Sequence, residues 1–122
     1  MNPEIKSQWI AALRSGGYVQ GMGALRRRTS SDTEYCCLGV LCDLYFHRHH
    51  NCDWRNDGLG RGWLTGGRSV NVLTLPDEVV SWAGLPDSNP LIDWASGPED
   101  LAMVNDSGSS FDAIADAIES QL

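Results

Sequence analysis

Beyond Arg68 the chain contains neither lysine nor arginine, and nowhere does an apolar run approach the ~20 residues that cross a bilayer. The first absence argues against a uniformly basic surface, and with it against non-specific nucleic-acid binding. The second leaves no membrane-spanning helix to place. The opening residues, MNPEIKSQW, lack a signal-peptide pattern, so a cytoplasmic protein is expected. Neither a Walker motif nor a G-x-G-x-x-G turn is present, and no cofactor is anticipated. Histidine occurs only at positions 47, 49 and 50, and no second ligand pair of the C-x2-C or H-x3-H kind follows. No metal site is therefore assigned.

What remains is 122 residues with a net charge of -7, enough chain for one compact domain with a core of its own, spanning residues 1–122. The charge is divided. Residues 1–68 hold all nine basic side chains against six acids, and residues 69–122 hold ten acids alone. Attraction between the halves of one fold accounts for this, and so does a local basic surface that holds a small anion. Four cysteines, at 36, 37, 42 and 52, are expected as free thiols in a reducing compartment.

The most apolar stretch is YCCLGVLCDLYF, residues 35–46. At helical spacing its Cys and Leu side chains cover most of the circumference, with Asp43 as the main polar interruption, so a buried central helix is predicted over about 34–47. Ser30, Ser31, Asp32 and Thr33 are its candidate caps. Gly39 inside it costs roughly 1 kcal/mol relative to alanine, which points to close approach of another backbone. Upstream, Asn2 and Pro3 open a helix over 3–15 with Ile5, Trp9, Ala12 and Leu13 inward and Lys6 and Arg14 outward. Downstream, LPDEVVSWAGL is a short helix with Pro76 at its first position and Gly84 at its end. Pro98 is expected to open a further helix, and Ser109 to cap the last one with Asp112 three residues later. The fold class is α+β, helix-dominated, with the central helix packed by N- and C-terminal helices. A small sheet or hairpin is expected from residues 18–28, with 69–75 as a further strand candidate. The segment 47–70, holding five glycines between 58 and 67, reads as a variable loop whose Trp54 and Trp63 fold back onto the core.

Glycine beside arginine makes an anion cradle, because backbone N–H groups can approach an anion that guanidinium groups neutralise. Gln20, Gly21, Gly23, Arg26, Arg27 and Arg28 supply that combination. Asn105 and Asp106, short polar side chains at a turn between helices, stand as further ligand contacts or as ordinary turn residues.

The segments ALRSG, YCCLGVLCDL, LPDEVVSWAGL, NPLI and LAMVNDSGSSFDAIADAIE together resemble a family of small bacteriophage and prophage proteins. The likeness covers the chain except for about 46–70, and it carries over no catalytic residue. It implies a phage origin, action in the host cytoplasm and a role against the host.

Three functions are weighed on this basis. The first is binding and sequestration, without catalysis, of a small anionic, nucleotide-type signal of a host antiviral defence. The second is docking of the acidic half on a basic host protein, by charge complementarity. The third is a cysteine- or metal-dependent hydrolase. It suffers from geometry, since a helix from Cys36 to His47 is ~16 Å long at 1.5 Å per residue and holds its histidines out of reach of Cys36. A homo-oligomer sharing a site between copies is compatible with the first.

Overall fold

The computed structural model describes residues 1–67 and 70–122. Helix α1 (Pro3–Arg14) begins where the Asn2 side chain accepts hydrogen bonds from the N–H groups of Glu4 and Ile5. Its Ile5, Trp9, Ile10 and Leu13 are buried, and Trp9 donates its indole N–H to the Cys37 carbonyl at 2.9 Å. Arg14 is exposed but not solitary, because it bridges Asp116 and Glu119 of the last helix.

The central helix α2 spans Cys37–Arg48, three residues later than the predicted start. Residues Thr33–Tyr35 form strand β3 instead. The true cap is Cys36, whose sulfur accepts from the Gly39 N–H at 3.4 Å. β3 pairs on both sides, so its ladder hydrogen bonds outweigh the capping residues upstream. Gly39 has the role expected of it: a Cβ there would sit 1.6 Å from the Leu25 carbonyl oxygen.

The strand content is larger than predicted. Strands β1 (Val19–Gln20), β2 (Arg26–Arg28), β3, β4 (Trp54–Asn56) and β5 (Arg61–Leu64) form one sheet in the order β1-β3-β2-β5-β4. β1 and β3 are parallel, and the other neighbours are antiparallel. The segment read as a loop thus supplies two strands. Among the described residues of 69–75 there is no strand, although the Leu25 N–H donates to Val72. Ser69 lies outside the described residues.

Helix α3 (Asp77–Ala83) has Pro76 at its N-cap position, without a side-chain hydrogen bond, rather than at its first helical position, and ends at Gly84 with φ 68°. Strands β6 (Leu91–Trp94) and β7 (Gly97–Asp100) form a separate hairpin. Pro98 therefore stands in a strand, and helix α4 (Leu101–Asp106) opens at Asp100, which accepts from the Met103 N–H. Helix α5 (Phe111–Gln121) is capped by Ser110 rather than Ser109. Its Phe111, Ile114, Ala115 and Ile118 are buried in the core that α1, α2 and α4 share. The architecture is a small α+β fold with five helices, and no helix among the described residues is long and apolar enough to cross a membrane.

Candidate functional site

The residues expected to cradle an anion are separated by the fold into two groups. The first forms around Asn105, which is fully buried. Its Oδ1 accepts from Gln20 Nε2 at 2.9 Å and from the Cys37 N–H at 3.1 Å. Its Nδ2 donates to the Gly21 carbonyl at 2.8 Å and to Asp106 Oδ1 at 3.0 Å. An asparagine side chain can use two acceptor and two donor positions, and here all are taken. Gln20 Nε2 also donates to the Ser109 carbonyl, and the Gly23 N–H to Asp106 Oδ1. Gly21 is compressed against Glu34, since a Cβ there would lie 2.6 Å from the Glu34 Cβ. Gln20, Gly21 and Asn105 are thus corrected from ligand contacts to a clasp that ties β1 and the start of α2 to α4. Asp106, by contrast, is exposed.

The arginines form the second group, and they do not act as a block. A strand sends alternate side chains to opposite faces. Arg26 and Arg28 therefore lie on one side of β2 and Arg27 on the other. Arg26 is only 8% exposed, stacked on the Trp54 ring at 4.6 Å, with Nη2 donating to Asn56 Oδ1 at 3.1 Å. Burial lowers its pKa, and its Nε has no partner because it lies over Gly62. So enclosed, Arg26 is a packing element and not an anion contact. Beneath it, Asp43 is buried and accepts from the Tyr18 hydroxyl at 2.7 Å and from the Trp54 indole at 2.9 Å. His47 Nε2 lies 3.2 Å from the same carboxylate. Desolvation first, then the hydrogen bond to Asp43, push the Tyr18 phenol well above its ordinary range.

On the opposite face Arg55 is exposed, and Arg27, Arg61 and Trp63 are part-buried. Arg27 stands directly across from Arg61 in the β2–β5 ladder, and Arg55 directly across from Trp63 in the β4–β5 ladder. Like charges placed opposite each other destabilise a sheet. Arg61 is held by Asp57, with Nε 2.7 Å from Oδ2, and Glu34 terminates the row beside Arg27. Among the described residues, Arg27 and Arg55 have neither a carboxylate within 4.0 Å nor a side-chain hydrogen bond. Trp63 is half-buried and, unlike Trp54, is not packed against the core. The expectation that both tryptophans fold inward holds for Trp54 alone.

The remaining chemistry is muted. Burial pushes the Cys36 thiol up to about 11 and the Cys37 and Cys42 thiols well above their usual range. A thiol so held is a poor nucleophile at neutral pH. Among the described residues, no three His, Cys, Asp or Glu side chains converge as a metal-binding group. His47, His49, His50 and Cys52 do line one open cleft with Phe46 and Asp53.

The sequence model of DUF8296, a domain of unknown function, matches residues 1–122. The chain belongs to that family. No curated protein matches it, and no solved structure does.

For this DUF8296 member the sequence pattern does not point to Arg55 or Arg61, whereas tryptophan is expected as a stacking surface. A signal was present in R-G-W-L, residues 61–64, where every second position is buried. Five glycines in ten residues concealed it.

Proposed function

We propose that the protein binds a small anionic ligand of nucleotide type, without catalysis, on the outer face of its five-stranded sheet. The observation that carries this reading is the pairing of Arg27 with Arg61 across one ladder and of Arg55 with Trp63 across the next. Facing Cα atoms in an antiparallel pair are ~4.5–5.5 Å apart, a spacing at which two guanidinium groups can grip one phosphate. An anion between them turns mutual repulsion into two charge-assisted hydrogen-bonding contacts. Trp63, which the core does not use, offers a ring on which a base can stack. Arg28 lies on the other face, and Gly23 borders Arg27, with a Cβ position 3.2 Å from its Nη2; neither is needed for the reading. In the phage setting implied by the sequence resemblance, such binding would withhold a signal from a host defence.

The test is calorimetric titration with AMP, a cyclic dinucleotide and adenosine, followed by recovery of the ligand. Saturable binding of the phosphorylated probes, weaker binding of adenosine and intact recovered ligand are expected. Binding of adenosine as tightly as AMP, or no saturable binding, would overturn the proposal.

A second reading, docking of the acidic half on a basic protein, draws on one observation. Of the ten acids in residues 69–122, only Asp116 and Glu119 make an ion pair among the described residues, both with Arg14. Its test is loss of a captured basic partner on replacing Asp112 with Asn while nucleotide binding persists.

A further inference from the structure

Asp106 and Gly23, joined at the edge of the clasp, also line a cleft of about 220 Å³ beside Cys36. Its wall is apolar, made by Ala24, Cys36, Leu73 and Ala102, and its polar groups include Asn89 and Asp106. The size is adequate for a small organic molecule, since apolar cavities of about 150 Å³ accept benzene-sized guests.

The polar groups decide what kind of molecule. Asp106 is held in place through one oxygen, Oδ1, which accepts from the Gly23 N–H at 3.2 Å and from Asn105 Nδ2 at 3.0 Å. Its Oδ2 has no partner among the described residues. Asn89 spends Oδ1 on the Ala102 N–H at 3.1 Å, and its amide nitrogen has no protein acceptor among the described residues. An anion would find little here. The α2 amides nearest the cleft are already occupied, Cys37 N–H by Asn105 and Gly39 N–H by the Cys36 sulfur. The one charged group of the lining is a carboxylate.

We infer that this cleft is a second binding site, for a small ammonium compound with a compact apolar body. The ammonium pairs with Asp106 Oδ2, and the body lies against Ala24, Leu73 and Ala102 over the Cys36 thiol. The ligand has the opposite charge to that of the sheet face's ligand, and the two sites adjoin at Gly23, where a Cβ would stand 3.2 Å from Arg27 Nη2.

The experiment is an NMR titration of the whole protein with cyclohexylammonium, cyclohexanol and cyclohexanecarboxylate, three probes with one body and different heads. The reporters are the backbone amides of Gly23 and Ala102 and the side-chain amide of Asn89. Cyclohexylammonium should shift these signals saturably, with cyclohexanol binding about fivefold or more weakly and the carboxylate more weakly still. D106N keeps an oxygen for the Gly23 N–H and should reduce the preference for ammonium over alcohol to less than about twofold. A102L should fill the cleft and abolish the response to all three. The inference fails if no reporter saturates below ~20 mM, if the carboxylate binds as well as the ammonium, or if D106N retains the preference. The ranking of the three probes on the unaltered protein decides the matter even where a variant folds poorly.

Discussion

The Asn105 clasp and the outer face of the sheet hold polar groups in opposite states. In the clasp every donor and acceptor of the asparagine is matched by a fixed protein group. On the sheet, the part-buried Arg27 and the exposed Arg55 have no side-chain partner among the described residues, and Arg27 stands between Glu34 and another arginine, Arg61. A buried polar group left unmatched costs about 1–3 kcal/mol, a cost that the clasp avoids and that the buried Arg26 Nε bears. An exposed guanidinium carries no such penalty and stays available. The difference separates residues that build the molecule from residues that can meet something outside it.

The comparison is broken most sharply at Asn105. Replacing it with Ala leaves the Cys37 N–H and the Gly21 carbonyl without their partners, and urea unfolding should show a loss of about 3 kcal/mol or more. A loss below about 1 kcal/mol would return Gln20, Gly21 and Asn105 to the ligand-contact group.

Alkaline pH tests the same region through Cys36, which caps α2 beside the clasp. In the unfolded chain this thiol ionises near 9.0, whereas burial in the fold holds it protonated to about 11. The folded state thus binds more protons over that interval. Stability is intact below pH 9 and falls as pH rises toward 11, by about 1.4 kcal/mol per pH unit for one such group. Urea midpoints measured at pH 8.5 and 10.5 should show the decline, and Cys36→Ser should make it shallower. An identical decline in that variant would assign the effect to Cys37, Cys42 and Tyr18 instead.

The sheet face should respond in the reverse manner. Exchanging Arg27 and Arg61 together for Gln should weaken AMP binding by about tenfold or more, since both charge-assisted contacts are lost. The urea midpoint should change little, because removing two facing like charges offsets the loss of the Arg61–Asp57 bridge. A fall in stability with unchanged binding would make these arginines part of the architecture.

The smallest effect is expected at Arg14, whose bridges to Asp116 and Glu119 are exposed. Arg14→Ala should lower the melting temperature slightly at low salt and not at all at high salt.

Helices were legible in the sequence because their signals are local. Asn2 with Pro3 opens α1, Gly84 closes α3, and the stripe of Phe111, Ile114, Ala115 and Ile118 faces inward along α5. Where a local signal competed with pairing, pairing won. Residues Thr33–Tyr35 carry capping chemistry yet lie between β1 and β2, and Pro98 could open a helix yet sits in the β6–β7 hairpin. The glycine-rich segment became strands for a similar reason. Gly60 and Gly62 let β5 lie close to β2, with a Cβ at Gly60 only 2.4 Å from the Arg28 carbonyl oxygen.

Residue type and local spacing suffice for the buried central helix, the thiols at its start, the glycine at position 39 and the division of charge between the halves. Each depends on residue type and spacing along one element. Long-range packing is what parts three adjacent arginines to two faces, consumes Asn105 in a clasp and sets Asp106 beside a cleft. Those outcomes depend on which strand lies beside which and on what each polar atom meets across the chain, from Gln20 to Ser109 and from Gly23 to Asp106. Contacts of that range are fixed by packing and hydrogen-bond completion, and no local pattern encodes them.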